Sequence, residues 1–242
     1  MNKLNLISFT SKFLIGGVKS AIITCSDNSF KTRTMTDDKS VLSEIEWKET
    51  PPREFIGKEI AIYNVPEFTK FLSLLEDEFD VSLITTGNKA FSIKFSDSVG
   101  TKAVYALSES SIIPPVPTLK YIPQVFETVI KITPEFSKRF LRAASAIAEK
   151  DGMFCVITSD NKCEILFGQT DTNSNTATIL CETSRVSAIP KQYYDISAFC
   201  DILLANKDCE DANLSISSEG LSISQFDTDL FSCKYYLIAK AE

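Results

Sequence analysis

One short phrase occurs twice in the chain, Pro66-Glu67-Phe68-Thr69-Lys70 and Pro134-Glu135-Phe136-Ser137-Lys138, each time after an apolar strand-like run and at the start of an amphipathic segment. A match this short constrains the fold only if its surroundings repeat as well. They do. Residues 60–63 precede one copy and residues 129–132 the other, and alternating strands follow each, at 81–85 with 90–95 and at 153–158 with 162–167. The repeating unit reads as a strand, a helix and a meander of strands. Fainter copies begin at Leu6-Ile7-Ser8-Phe9-Thr10 and at Tyr194-Asp195-Ile196-Ser197-Ala198-Phe199, and a Phe falls early in all four predicted helices. Residues 214–217, 221–225 and 233–239 close the last unit with the alternation of half-buried strands. Four such units make the chain modular, in the manner of a scaffold. The competing account is that strand–helix segments are common and Phe is a frequent helix anchor.

With 242 residues and 44% hydrophobic content, the chain can bury one large core or two ordinary ones. Two fit better, because residues 112–123 hold four of the nine prolines and lie near the midpoint. Such a stretch cannot be helical. The expected organisation is therefore a domain over 1–111, an interdomain linker over 112–123 and a second domain over 124–242. The linker's apolar residues favour a path along a surface over a free tether.

Several function classes are disfavoured. No apolar run reaches membrane-spanning length, and the first residues lack a secretory core, so a soluble intracellular protein is expected. Seven cysteines with no Cys-x-x-Cys pair read as reduced structural thiols. Histidine is absent, which removes the commonest general base, the Ser-His and Cys-His nucleophiles and imidazole metal sites. Gly16-Gly17 does not belong to a phosphate loop. Asp37-Asp38, in a predicted hairpin turn, and Glu76-Asp77-Glu78, at a predicted helix end, read as solvated surface rather than as metal or acid–base sites. No enzyme, cofactor or metal is expected.

The predicted helices carry the positive signal. In the third, Thr133 can cap the N-terminus, Pro134 fits the first turn and Glu135 complements the dipole. Phe136, Phe140, Leu141, Ala144, Ile147 and Ala148 form its apolar stripe, with Lys138, Arg139, Arg142 and Ser145 on other faces. In the second helix Phe68, Phe71, Leu72, Leu75 and Phe79 are expected inside, with Lys70, Ser73 and Asp77 outside. In the first, Phe9 and Phe13 are expected inside, with Lys12 and Lys19 outside. The fourth buries Phe199, Ile202 and Leu203 and offers only Lys207 as a cation. Basic helix faces in a chain of net charge −7 segregate charge. That argues against tight wrapping of nucleic acid by an ordinary basic groove and leaves room for weak, sequence-blind phosphate contact through a few helix cations.

Residues 60–77, entering the second helix, and residues 194–203, followed by the strands at 214–216 and 222–224 and by Tyr235-Tyr236-Leu237-Ile238-Ala239, resemble the DNA polymerase sliding clamps. The similarity is greatest to the trimeric clamps of large tailed phages. The resemblance implies an α+β fold, the two-domain DNA-clamp fold. Each domain would be a duplicated β-α-β-β-β unit, with sheets outside and helices lining a central hole that encircles duplex DNA. The chain is too short for a three-domain subunit, so a homotrimer is expected.

The resemblance also assigns roles. Lys12, Lys19, Lys70, Lys138, Arg139 and Arg142 would face DNA. Ala103, Val104 and Tyr105, with Thr178, Ile179 and Leu180, would lie on the edge strands that join subunits, although interior strands would carry the same residues. Ile113, Val116, Leu119 and Ile122 would line a pocket for partner peptides, or else pin the linker to a domain surface. The implied partners are duplex DNA, a DNA polymerase, a clamp-loader ATPase and two further copies of the chain, with no membrane, and the expected setting is the host cytoplasm of a phage-encoded protein. A tandem β-rich viral structural or assembly protein is the main alternative, and an enzyme using carboxylates and a divalent metal is the other. The acidic end of the second helix and the lack of an extended C-terminal tail depart from the family's pattern.

Overall fold

A computed structural model of the protein describes residues 1–87, 89–147, 152–168 and 175–240. These form two compact units. The first comprises Met1–Met35, Ser43–Pro117 and Asp229–Cys233; the second comprises Thr36–Leu42, Thr118–Thr228 and Lys234–Glu242.

The first unit opens with α1 (Lys3–Phe13), whose N-terminus is capped where Asn5 N donates to Asn2 Oδ1 at 3.0 Å. Strands β1 (Ala21–Cys25), β2 (Phe30–Met35), β3 (Val41–Trp47) and β4 (Glu59–Ile62) follow, then α2 (Val65–Phe71), β5 (Phe79–Thr86), β6 (Lys89–Asp97) and β7 (Lys102–Ala106). The strands form two sheets, ordered β3-β2-β1-β4 and β5-β6-β7. The two helices touch through Thr10 Oγ1 and Thr69 Oγ1, 3.2 Å apart. Trp47 is fully buried, with ring centroids 5.5 Å from Phe9, 5.0 Å from Phe30 and 6.3 Å from Phe231.

The second unit contains β8 (Thr128–Ile132), α3 (Pro134–Ile147), β9 (Met153–Ser159), β10 (Lys162–Phe167), β11 (Ala177–Leu180) and β12 (Thr183–Arg185). It continues through β13 (Gln192–Asp195), α4 (Ile196–Ala205), β14 (Ala212–Ile216), β15 (Leu221–Asp227) and most of β16 (Phe231–Ile238). Its sheets are ordered β11-β10-β9-β13 and β12-β8-β14-β15-β16. The mixed α+β architecture expected from the sequence is present, and each predicted helix is followed by a meander.

The repeats are interlocked. The strand that leads into α4, β13, pairs with β9 of the other repeat, and the strand that leads into α3, β8, pairs with β14. The same exchange occurs in the first unit, where β4 pairs with β1 and the first residues pair with the start of β5 through the Asn2–Glu78 bridge. Met1 there donates its amine to Phe79 O at 2.7 Å, and Lys3 meets Asp77 at 3.2 Å. The acidic run after α2 thus anchors the start of the chain.

Two helix expectations are corrected. α1 ends at Phe13, because Gly16 and Gly17 take φ of 58° and 82° and turn the chain out of the helix, leaving Lys19 in the loop before β1. α2 tightens into a 3₁₀ turn at Leu72–Leu74, so Phe79 belongs to β5 rather than to the helix; its side chain is buried all the same. Asp38 sits in a tight turn, as expected, accepting hydrogen bonds from Thr36 Oγ1, Ser40 N and Ser40 Oγ. No helix among the described residues is long and apolar enough to cross a membrane.

Candidate nucleic-acid interface

The start of α3 is built as its sequence dictates. Phe136 N donates to Thr133 Oγ1 at 3.1 Å, Pro134 occupies the first turn, and Glu135 lies where the helix dipole favours an acid. Phe136, Phe140 and Ala144 are buried, whereas Leu141 and Ile147 are half-buried; Ala148 lies outside the described residues. α4 is capped by Asp195, which accepts from Ala198 N at 2.8 Å and binds Lys240 Nζ at 2.9 Å. Its Phe199, Ile202 and Leu203 are buried, and Leu204 is 55% exposed.

A groove of about 570 Å³ runs between the two helices. Leu141, Leu203, Leu204 and Phe226 contribute its apolar lining, with Lys138, Arg142 and Lys207 also around it and the hydroxyl-bearing Ser137 and Ser145 beside them. Lys138, Arg142 and Lys207 are exposed. Three cations around one groove on an acidic chain can attract phosphates without tight binding, because each contact is solvated and salt-screened.

The other candidate cations are not among the residues that line this groove. Arg139 is one residue, or about 100° of helical turn, from Lys138, and its Nη2 donates to Leu180 O at 3.3 Å. Lys19 and Lys70 are exposed in the first unit, Lys19 in a loop and Lys70 on the last turn of α2. Lys12 is a correction. It is 1% exposed, with its ammonium 4.7 Å from the Phe231 ring centroid, so it is a core cation held over an aromatic face. Lys207 was visible as the lone cation beyond the fourth helix. Its proximity to Lys138 and Arg142 depends on how α3 packs against α4, which helical spacing does not report.

Among the described residues both candidate edge strands stand at sheet ends: β7 closes the three-stranded sheet and β11 closes the four-stranded one. On β7 Val104 is 55% exposed, Ala103 is half-buried, and Tyr105 packs against Phe68 at 4.9 Å and Phe71 at 5.4 Å. Burial, and then the nearby Glu67 carboxylate, raise the Tyr105 pKa. On β11 Thr178 and Leu180 are exposed and Ile179 is buried.

The four linker residues differ in exposure. Ile113 is buried, Val116 and Leu119 are half-buried, and Ile122 is 42% exposed. Pro117 O accepts from Arg33 Nη2 at 3.3 Å, and Tyr121 donates to Glu219 at 3.1 Å. Each contact holds its part of the segment against a surface.

No protein-family model matches the chain. No curated protein sequence matches it either. Among solved structures, the chain is similar to proliferating cellular nuclear antigen from Entamoeba histolytica, with a TM-score of 0.72 and 14% identity over 98% of this chain and 94% of that one. At that identity the likeness is one of fold, and it spans both units from end to end. The chain has the two-domain α+β fold of the DNA sliding clamps.

Proposed function

We propose that this chain is one subunit of a homotrimeric ring that encircles duplex DNA and tethers a DNA polymerase to its template. The observation that carries the reading is the cation-lined groove between α3 and α4 on a chain with a clamp fold and a net charge of −7. A protein held on DNA by topology needs only weak contacts inside, and a strongly cationic surface would hinder sliding. The open strands β7 and β11 support ring closure, since an edge is stabilised when a second copy pairs with it. The proposed domains are 1–111 and 124–242, joined by 112–123.

In this reading the ring performs no chemistry. A clamp-loader ATPase opens and places it, and tethering raises the effective concentration of polymerase at the primer terminus. Lys138, Arg142 and Lys207 supply the principal phosphate contacts of the second unit, and Lys70 and Lys19 supply those of the first. Ile122 and the half-buried Val116 and Leu119 are the linker positions offered to a partner peptide.

The test combines sedimentation with retention on DNA. A trimer that stays on nicked circular DNA after loading, and runs off once the circle is cut, supports the reading. A chain that is monomeric at every concentration, or that leaves circular and linear DNA at the same rate, overturns it.

A further inference from the structure

The free edge of β11 is partly occupied by the chain's own side chain. Cys181 N donates to Cys163 O at 2.9 Å, and Leu180 stands opposite Glu164. In an antiparallel ladder hydrogen-bonded and non-hydrogen-bonded pairs alternate, so the N–H and C=O of Leu180 point away from β10, toward the open side. The Leu180 carbonyl does not wait there for a strand. Arg139 Nη2 reaches it at 3.3 Å.

β7 presents the matching pattern. Leu107 N donates to Phe91 O at 2.8 Å and Val104 stands opposite Lys94, so Val104 turns its N–H and C=O outward in the same way. Val104 and Leu180 are also exposed apolar side chains, at 55% and 53%, on the two strands. Two short strands with open ladders and an exposed aliphatic residue each are complementary as an antiparallel pair between copies.

We infer that Arg139 is an edge guard: in the free subunit it caps the outward carbonyl of Leu180, and it must give up that acceptor before β7 of a second copy can pair with β11. A charged side chain laid on an open edge is a known defence against indiscriminate strand pairing. One long, exposed hydrogen bond yields to a ladder of several, yet it disfavours a partner that offers only one or two. The inference rests on the ring reading, and it moves Arg139 from the DNA-facing set to the control of assembly.

The test is Arg139→Met, which keeps the aliphatic stem and removes the donors, studied by fluorescence-detected sedimentation over a dilution series beside the unmodified chain. The concentration at which half the subunits are assembled is expected to fall about tenfold, because one modest hydrogen bond is worth about fivefold at each of the three interfaces and the midpoint of a monomer–trimer equilibrium varies as the inverse square root of its association constant. Duplex binding by the assembled ring should change less than twofold. A midpoint that is unchanged or raised overturns the guard while leaving the ring standing. Lost duplex affinity with unchanged assembly returns Arg139 to the DNA face and also overturns it. Monomers in both proteins overturn guard and ring together, whereas an unmodified chain that assembles only at the top of the dilution series, beside a variant that assembles well below it, supports the guard. Thermal unfolding of both proteins serves as the check on folding.

Discussion

Phe140 of α3 and Phe199 of α4 meet edge to face, with ring centroids 4.8 Å apart and planes at 75°. Phe140 also lies 5.1 Å from Phe154 on β9 and 4.9 Å from Phe167 on β10. One ring therefore ties both helices of the second unit to β9 and β10 beneath them. Phe140→Ala should destabilise the protein by about 3–5 kcal/mol, as large-to-small changes at fully buried aromatics do. Denaturant unfolding would measure this, and a loss below about 1 kcal/mol would mean that the cluster collapses to fill the space.

The groove cations should act together. Replacing Lys138, Arg142 and Lys207 with Ala should weaken duplex binding at low salt and make the dependence of log K on log salt shallower by about 0.9 for each phosphate that is no longer neutralised. Sedimentation of the variant should match that of the unmodified chain. An unchanged salt slope would remove these residues from the DNA-facing surface.

Linker residues should divide by burial. Ile113 is 6% exposed and Ile122 42%. Ile113→Asp places a charge in an apolar site and should cost about 2–4 kcal/mol of stability, whereas Ile122→Asp should stay within about 0.5 kcal/mol. If Ile122→Asp also abolishes polymerase stimulation, the linker surface is part of the partner site. Full stimulation by that variant would place the site elsewhere.

The turn at Asp38 predicts a response to acid. Burial pushes the Asp38 carboxyl up, but hydrogen bonds from Ser40 and Thr36, together with Lys240 at 3.7 Å, outweigh that and hold it down at about 2. The unfolded carboxyl titrates near about 4. A group depressed on folding stabilises the native state above its unfolded pKa, and that contribution is lost as pH falls toward the folded value. The melting-temperature gap between the unmodified chain and Asp38→Asn should therefore be largest near neutrality and shrink between about pH 4 and pH 2. A gap that is constant with pH would mean that folding does not depress the Asp38 carboxyl.

The sequence by itself determined the repeats, the helix starts and most of the strands, because those are local properties. Thr133 caps α3 and Asp195 caps α4 within a few residues of the groups they satisfy, and Phe136, Phe140 and Ala144 mark the buried face by their spacing alone. Lys138, Arg139 and Arg142 read together as the basic start of the third helix, and Lys138 and Arg142 line one groove. The tertiary structure decided the rest. A period of two says that a strand is half-buried, not which neighbour it bonds, so the exchange of β8 and β13 between repeats could not be read from alternation. Lys12 satisfies the pattern of an exposed helix cation, yet it lies over Phe231, more than two hundred residues away in the chain. Arg139 looked like a neighbour of Lys138, but a single residue's turn of the helix carries it to Leu180 on β11 instead. Local patterning sets which side chains leave a helix on which side; what each one meets there is settled only when distant strands and helices close around it.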